Sequence, residues 1–524
     1  MRLALLLLLP LAAWPSELHF AIAGDPKTFD ALQVAESHSE TVRYLTGGVL
    51  IRVNRTTSKP EPELAESWTV PPDGKSISLH LRAGVKFSDG TPLTSADVVR
   101  TLTRALDPKE ASPSGDPFRS ADGNPEVTAP SLRDVLVRYK NVKPGLEQLF
   151  DELAIVPPAA AALPPSSGPY AVAEYKPGQF VRLARNPNYW KRDAAGKQLP
   201  YIDSIRIDIQ ANHDIETTRF LRGELHLIQK LDPENFQRVS KEQPAAARNV
   251  GASLDSEFLW FNEAPSKTVP EWKRKWFTSA AFRHALSLGI HRDDIARIAY
   301  RGYAHVAAGP FSPANKVWFN SALTPLPFDF AAALKQLAAD GFVKKDGTLR
   351  DRDGHAVEFS IVTNAGNRTR ERMAALVQAD WAALGVKLNI VTLDFGSLIE
   401  RITKTNDYEA CLLGFNNVAV DPAEQMNVWL SSGPTHPWWP KEPTPATPWE
   451  KQIDGLLLQQ ASSGNQAARK KAIDEVQRIG MEQEPVLYLV NPDYLCAISP
   501  RVKGIEATAA PPQILWNIEW LKLE

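Results

Sequence analysis

The sequence predicts an α/β protein with two or three lobes, and three observations support this prediction. The chain has 524 residues, which is well beyond the ~250–300 residues at which a single hydrophobic core stops growing. Strand-like and helix-like stretches alternate over its second half, as they do in sheets with helical crossovers. The 42 prolines are typical of a loop-rich protein and do not suit a helical bundle.

The first half of the chain is predicted to consist mainly of strands. Residues 18–23 alternate in polarity and end at a Gly-Asp-Pro turn, as a short strand does. Thr94 and Asp97 have the spacing of a capping box, so we expect a helix over residues 95–105. Residues 41–53 are predicted to be a helix or a helix that runs into a strand. The other predicted elements are strands at 77–81, 170–174, 180–184, 202–209 and 225–228 and a helix at 215–221.

The second half is predicted to form a partly parallel sheet, because strands and helices follow one another in turn. Gly341 and Gly385 each follow a predicted helix, at the position where glycine commonly ends one. The predicted strands span 258–261, 357–363, 386–392, 409–415 and 486–490. The predicted helices span 279–288, 292–300, 330–340, 370–384, 398–403 and 467–482.

The first 16 residues have the pattern of a cleavable secretory signal. Arg2 precedes an apolar run over residues 3–13, and this run is too short to span a bilayer. The alternative is that the run forms a buried first strand or helix. No cysteine follows it, so a lipid anchor is not expected there. We therefore expect an exported, soluble protein in the periplasm or another extracytoplasmic compartment.

The composition argues against nucleic-acid and membrane partners and against a framework of disulfide bonds. The net charge is -2 and no long basic run is present, so neither nucleic acid nor an anionic membrane surface is an expected partner. Two cysteines, Cys411 and Cys496, are too few for a disulfide framework. Two unpaired, buried thiols are the favoured interpretation.

No motif of a known catalytic or nucleotide-binding chemistry occurs in the chain. We find no phosphate-binding loop, dinucleotide-binding glycine motif, His-Glu-x-x-His pair or Gly-x-Ser-x-Gly elbow. The histidines are scattered, and His284 and His291 alone do not make a zinc site. We therefore predict a binding protein without catalytic residues, metal or cofactor. A secreted hydrolase is the alternative from another class, since two carboxylates can converge in a folded cleft.

Several stretches of the sequence resemble the signature of family 5 extracellular solute-binding proteins, the peptide- and nickel-type binding components of ABC importers. The matching stretches are LAESW at 64–68, LHLRAGVKFSDGTP at 79–92, SGPY at 167–170, RNPNYW at 185–190 and FRHAL at 282–286. Glycines 84, 90 and 168 in these stretches are expected to be turn residues. The resemblance implies a periplasmic-binding-protein-like, two-lobed α/β fold with an additional inserted small domain.

The resemblance also implies a division of the chain and a way of working. Lobe I is expected to combine residues 17–52, 163–255 and 491–524, with the inserted small domain at 53–162 and lobe II at 256–490. A ligand is expected to bind between the lobes, which close around it by a hinge motion. The closed protein, acting as a monomer, is then expected to deliver its ligand to the transmembrane subunits of an ABC permease.

The charge anchors of peptide binders in this family are expected to be missing from this chain. In those proteins an Asp in a Gly-Trp segment pairs with the ligand ammonium, and an Arg before a helix holds the carboxylate. Val418 and Asn364 stand at these positions. Removing one partner of a buried charge pair costs about 2–5 kcal/mol, so an ordinary dipeptide is not the expected ligand. The ligand contacts implied by the resemblance are Thr28, Phe29, Asn364, Arg368, Phe415, Asn416, Asn417 and Tyr488.

The sequence leaves the ligand open among several chemical classes. A longer or modified peptide fits the missing anchors, and so does a neutral polar solute such as an oligosaccharide. The scattered histidines argue against a nickel chelate. Four tryptophans could form an aromatic patch near the cleft or hold a proline-rich loop in place. They are Trp429, Trp438, Trp439 and Trp449.

Overall fold

The molecule has three bodies, each with its own hydrophobic core and each built around a sheet of four or more strands. The computed structural model describes residues 16–120, 122–158, 161–415 and 420–524. Of the predicted signal segment, only Ser16 lies in this part. We call the three bodies lobe I, the small lobe and lobe II, after the sheets described below.

Lobe I is built on a mixed four-stranded sheet. Its strands lie in the order Glu17–Ile22, Ser204–Ile209, Phe180–Arg185 and Tyr170–Lys176. The first two run parallel and the other neighbours antiparallel. The helix Ser37–Thr46 packs Val42 and Leu45 into the core that covers one face of this sheet. The remaining helices of this lobe are His213–Leu221 and Pro233–Glu242.

The small lobe holds an antiparallel sheet and one long helix. The strand order is Ala65–Thr69, Ser76–Leu81, Asp134–Arg138 and Glu126–Thr128. Ile77, Leu79 and Leu81 are buried while the residues between them face outward, which confirms the alternation seen in the sequence. The helix Ser95–Leu106 begins with the predicted capping box of Thr94 and Asp97. Shorter elements are Ile51–Val53, Pro60–Pro62, Pro113–Phe118 and Leu146–Leu149.

Lobe II is built on a mixed eight-stranded sheet that extends along Val486–Ile498 into lobe I. Its main path runs Leu227–Ile228, Val486–Ile498, Ser256–Phe261, Ala410–Phe415, Glu358–Asn364 and Lys387–Leu393, and Ala247–Ala252 and Ala304–Val306 also pair with Val486–Ile498. Glu358–Asn364 runs parallel to both of its neighbours, which confirms the predicted partly parallel sheet. Cys411 and Cys496 lie in this sheet as free, buried thiols, also as predicted.

Helices cover both faces of this sheet, so the central strand Ser256–Phe261 is buried along its whole length. Leu259 and Phe261 belong to one core, and Phe258 and Trp260 to the other. The helices of lobe II are Glu271–Thr278, Ala280–Leu288, Arg292–Asp294, Phe330–Ala339, Arg368–Leu384, Phe395–Glu400, Met426–Trp429, Pro448–Ala461 and Gln466–Gln483. Two predicted helices are continued by π-helical turns, at Ile295–Ala299 and Arg401–Thr405.

Two neighbouring chain segments pass between lobe I and lobe II. Val486–Ile498 pairs with Ser256–Phe261 in its first half and with Ala247–Ala252 in its second half. The register shifts within both pairings. Between them, the Ser253 N–H donates to the Pro492 carbonyl at 2.8 Å, and the Asn491 side chain donates to the Asp255 carbonyl at 3.0 Å. The lobes are therefore joined here by a narrow pair of extended segments.

The passage from lobe I to the small lobe is a close crossing of two backbones. The Gly168 N–H donates to the Thr46 carbonyl at 2.9 Å, and a Cβ atom on Gly168 would lie 2.6 Å from that oxygen. A Cβ atom on Gly48 would lie 2.5 Å from the Ser167 carbonyl oxygen. Gly84 and Gly90 have positive φ angles, as expected of turn residues, whereas Gly168 does not. Glycine is therefore required at position 168 because there is no room for a Cβ atom, and not because of its dihedral angles.

We expect Gly168→Ala to lower the free energy of unfolding by about 1–3 kcal/mol, because the added methyl group overlaps backbone atoms that cannot move freely. Gly455→Ala is the matched control, since Gly455 lies exposed in Pro448–Ala461 and an added Cβ meets no atom within 4 Å. This control is expected to stabilise the protein by ~0.5–1 kcal/mol. Urea unfolding of both variants measures the two shifts. Equal midpoints for Gly168→Ala and the parent would contradict the close crossing.

Candidate functional site

A cavity of about 1070 Å³ opens where lobe I, the small lobe and lobe II meet. Lobe I contributes the end of its first strand and the helix Ser37–Thr46. The small lobe contributes residues of the segment 142–152, and lobe II contributes Trp318 and residues between 463 and 469. Small-molecule pockets commonly measure ~300–1,000 Å³. The cavity is therefore large enough for a ligand of several residues.

The wall shared by lobe I and the small lobe is rich in charge. Arg43 is buried and donates to both carboxylate oxygens of Glu40, at 2.7 and 2.6 Å, and to the Glu152 carbonyl at 3.0 Å. Arg55 Nη2 lies 2.6 Å from Asp151 Oδ2. The two arginines are thus each held by a carboxylate of the wall.

The Glu152 side chain is exposed to the cleft, and none of the ion pairs among the described residues includes it. Although the cleft side of Glu152 is open to water, the protein atoms on its other sides partly desolvate the carboxylate and raise its pKa; the Arg43 guanidinium opposes that shift, and Asp151 and Glu40 add to it. A raised carboxyl pKa next to other acids marks a region of negative potential. A positive charge placed here would be stabilised.

The opposite wall, formed by lobe II, contains an ion pair whose arginine packs against a tryptophan ring. Arg469 donates to Asp421 and, at 3.0 Å, to Gln460 Oε1. Its guanidinium lies over the Trp318 ring, 4.8 Å from the ring centroid. Because Arg469 and Asp421 satisfy each other, neither offers a free charge for the end of a short zwitterion.

The lining as a whole has more acidic than basic groups. Seven carboxylates and five lysine or arginine side chains line the cavity. The carboxylates are Glu40, Glu147, Asp151, Glu152, Glu216, Asp255 and Asp421, and the cations are Arg43, Arg55, Lys143, Lys230 and Arg469. The imbalance of charge favours a ligand with a cationic group over an acidic one.

Two of the predicted contacts, Thr28 and Phe29, lie in lobe I. Thr28 Oγ1 accepts from the Asp30 N–H at 3.0 Å. The Phe29 ring meets Tyr175 edge-on, with 5.1 Å between the ring centroids. Both residues are half-buried, and the cavity lining does not include them.

Two others, Asn364 and Arg368, lie between a strand end and a helix start in lobe II. Asn364 Oδ1 accepts from Arg370 Nη1 at 2.9 Å, and Arg370 is itself bound to buried Glu257 at 2.7 and 2.9 Å. The Arg368 side chain is 69% exposed, and its Nη1 lies 3.7 Å from Asp214 Oδ2 of lobe I. Asn364 thus supports a buried ion pair, and Arg368 links the two lobes.

The remaining described contacts, Phe415 and Tyr488, come together on either side of Phe258. The ring centroids are 4.9 Å apart for Phe258 and Phe415 and 6.0 Å apart for Phe258 and Tyr488. Tyr488 is buried, and burial raises the pKa of its phenol. Three residues of the predicted site segment lie outside the described part of the chain: Asn416, Asn417 and Val418.

The tryptophans discussed above lie in lobe II and not in the cavity lining. Trp438 is buried, and its ring centroid lies 5.9 Å from that of Trp449. Trp438 Nε1 donates to Glu450 at 2.9 Å. This arrangement matches the alternative in which tryptophans hold a proline-rich loop in place.

Sequence reasoning missed the charged walls of the cavity. Asp421 follows a segment that carries the family resemblance, but its partner Arg469 is 48 residues further along the chain. Arg55 and Asp151 lie in separate segments of the small lobe and meet only in the fold. No local pattern in the sequence signals such pairs, because their spacing follows no helix or strand period.

Comparisons with known proteins agree with this architecture. Residues 59–437 match the model of the family described as bacterial extracellular solute-binding proteins, family 5 Middle. A protein of Deinococcus radiodurans named "Probable ABC transporter-binding protein" is 26% identical over 526 residues, covering 92% of this chain and 87% of that one.

Solved structures with the same fold include an ABC transporter substrate-binding protein and an oligopeptide-binding protein. The substrate-binding protein CtaP of Listeria monocytogenes has a TM-score of 0.82 and 22% identity, and the match covers 97% of this chain and 99% of that one. The oligopeptide-binding protein AppA of Bacillus subtilis, in complex with a nonapeptide, has a TM-score of 0.77 and 22% identity, with 98% and 100% covered. These likenesses confirm the predicted two-lobed fold.

Within the described ranges, no helix is both long and apolar enough to cross a membrane. The matched family consists of solute-binding proteins, which confirms the prediction of a binding protein and not a hydrolase. The family match spans more than two thirds of the chain. The chain therefore belongs to the family 5 bacterial extracellular solute-binding proteins.

Proposed function

We propose that this chain captures a peptide, or a solute of similar size, in the cavity between its lobes and delivers it to the transmembrane subunits of an ABC permease. The observation that carries the proposal is the cavity of about 1070 Å³ at the junction of the three bodies. It occurs in a fold shared with AppA, which holds a nonapeptide. The name of the Deinococcus relative, an ABC transporter-binding protein, supports the link to an importer.

Capture by closure is consistent with the way the lobes are joined. Arg372 Nη2 lies 2.9 Å from Glu234 Oε2, and Arg368 Nη1 lies 3.7 Å from Asp214 Oδ2; both pairs join lobe II to lobe I. Exposed ion pairs contribute only ~0–1 kcal/mol each. The closed form is therefore only weakly stabilised in the absence of ligand, and a ligand that contacts both walls shifts the equilibrium towards it.

The charged walls favour a peptide with a cationic group, at its amino terminus or in a side chain. That group would lie against Glu152, where Asp151 and Glu40 add to the negative potential. A free dipeptide is disfavoured because Arg469 in the lobe II wall is already paired with Asp421, so neither residue offers its charge to an end of the dipeptide. Phe415 and Tyr488 are proposed to contact the ligand from lobe II together with the neighbouring Asn416 and Asn417.

We also propose where the protein works and how it is divided. The first 16 residues serve as a secretory signal, and the mature chain acts outside the cytoplasm as a monomer without a nucleic-acid partner. The lobe boundaries proposed are those given above, with lobe II at 256–490 between two parts of lobe I. The narrow pair of segments at residues 252–256 and 490–493 is the proposed hinge, supported by the register shifts on either side of residues 252–256.

Incubation with a pool of random hexapeptides tests the proposed ligand class. Peptides that stay with the protein after gel filtration, identified by mass spectrometry, are expected to be enriched in lysine and arginine and depleted in aspartate and glutamate. They should be recovered intact, since the protein binds without cleaving. If an oligosaccharide pool is retained and peptides are not, the ligand is a sugar and the oligosaccharide-binding alternative is correct. Cleaved peptides would point to a hydrolase.

A further inference from the structure

A cluster of buried acidic and imidazole groups lies in lobe II, apart from the ligand cavity. It consists of His436, Glu442 and Glu450, which are 1%, 1% and 3% exposed. Each offers one ligand atom, and these three atoms lie within 4.8 Å of one another. His436 and Glu442 come from the proline-rich loop that follows Met426–Trp429, and Glu450 comes from the helix Pro448–Ala461.

The hydrogen bonds of His436 leave one ring nitrogen available. Its Nδ1 is 2.9 Å from the Val428 carbonyl, so Nδ1 carries the proton and donates. Nε2 then bears a lone pair, and it is buried without a hydrogen-bond partner. A neutral imidazole oriented by a hydrogen bond from its other nitrogen is the usual form of a histidine metal ligand.

The two carboxylates are held in place but not neutralised. Glu442 Oε1 accepts from the Ala446 N–H at 2.8 Å, while Oε2 is buried without a hydrogen-bond partner. Glu450 accepts from Trp438 Nε1 at 2.9 Å and from the Thr447 N–H and hydroxyl, both at 2.8 Å. Among the described ion pairs, none joins Glu442 or Glu450 to a lysine or arginine side chain.

Burying two carboxylates without a cation is unfavourable, and such groups are normally paired or bound to a metal. Glu263, a further acidic side chain nearby, lies 2.9 Å from Arg283 and so has its own cationic partner. Carboxylates bind a metal in the deprotonated form, and two deprotonated glutamates carry a charge that matches one divalent cation.

We propose that His436, Glu442 and Glu450 form a binding site for a divalent transition-metal ion, and that the ion fixes the proline-rich loop to the helix Pro448–Ala461. One imidazole nitrogen and two carboxylate oxygens are a ligand set that suits Zn²⁺. Three atoms within 4.8 Å of one another surround a point at most about 2.8 Å from each, so modest rotations of the three side chains reach the ~2.0–2.2 Å distances of zinc. The site is structural and separate from ligand capture, because none of its residues lines the cavity.

Zinc titration of chelator-treated full-length protein tests the proposal. We expect one Zn²⁺ per chain by equilibrium dialysis with elemental analysis, and a melting temperature that rises with zinc concentration, since an ion that binds only the folded state stabilises it. Glu442→Gln keeps the side-chain shape and the acceptor for Ala446 but removes a charge. It should fold without metal and bind Zn²⁺ at least tenfold more weakly.

A second cluster provides the matched control. Asp351, Asp353 and His355 also bring three ligand atoms within 4.8 Å of one another, but they lie nearer the surface. His355→Gln should leave the zinc stoichiometry and the melting shift unchanged. The proposal is overturned if the parent binds no Zn²⁺, or if binding survives Glu442→Gln and is lost in His355→Gln.

Discussion

Glu519→Gln is expected to lower the free energy of unfolding by about 3–5 kcal/mol, the usual effect of removing one partner from a buried charge network. Glu519 is 1% exposed, and its Oε1 accepts from Arg52 Nη1 and from Lys191 Nζ, both at 2.9 Å. Lys191 also binds Glu63 at 2.6 Å. With Glu519 neutral, two buried cations would face the single carboxylate of Glu63.

This network joins parts of the chain that are far apart in sequence. Arg52 lies in the strand Ile51–Val53, at the passage to the small lobe, and Glu519 lies in the C-terminal segment. Burial opposes ionisation of Glu519, but Lys191 and Arg52 lower its pKa to about 2. Because this value is below the unfolded value of ~4.3, the stabilisation is present above about pH 4.5 and is lost as the pH falls towards 2.

Urea unfolding at neutral pH measures the effect, and Glu524→Gln is the matched control. Glu524 is also a C-terminal glutamate, but its partner Lys503 is 3.7 Å away and both side chains are at least half exposed. Removing such a pair changes stability by less than ~1 kcal/mol. Similar unfolding midpoints for the two variants would show that the network does not hold the C-terminal segment to the rest of the fold.

Glu152→Lys is expected to reduce retention of cationic hexapeptides at least tenfold, if the cavity is the capture site. The variant replaces a negative charge of the cavity wall by a positive one, beside Arg43 and Arg55. Like charges brought together in a cleft cost several kcal/mol, and 1.4 kcal/mol already corresponds to a tenfold change in affinity. The enrichment of lysine and arginine among the retained peptides should disappear.

Glu126→Lys makes the same change in net charge on an exposed strand of the small lobe, outside the cavity lining. It should retain peptides as the parent does. The same peptide pool, gel filtration and mass spectrometry apply to both variants. Equal losses in the two variants would mean that total charge, and not the cavity wall, governs retention.

Local elements of this fold were predictable because their signals lie within a few residues. The capping box at Thr94 and Asp97 marks the start of Ser95–Leu106, and the alternating residues of Ser76–Leu81 predict a half-buried strand. The helix Pro448–Ala461 was missed although a capping box of Thr447 and Glu450 signals it. Its proline-rich surroundings obscured that signal.

The ligand cavity was not predictable in the same way, because it is made of pairs distant in the chain. At the position where the family resemblance implies a carboxylate anchor, this chain has Asn364, and its side chain accepts a hydrogen bond from the buried Arg370. Arg55 with Asp151 and Arg469 with Asp421 form the walls instead. Each pair depends on how separate segments are brought together by the sheets, and that information is absent from any single window of sequence.

The central claim is that the cavity between the lobes captures a solute, and native mass spectrometry of the freshly purified chain tests it most directly. We expect a non-covalent adduct with the mass of a peptide or similar small solute, displaced by added cationic hexapeptides in the parent and in Glu126→Lys. In Glu152→Lys the adduct should be weakened. An adduct that is equally strong in Glu152→Lys and resists displacement, or a chain that binds no peptide even at saturating concentration, would contradict the claim.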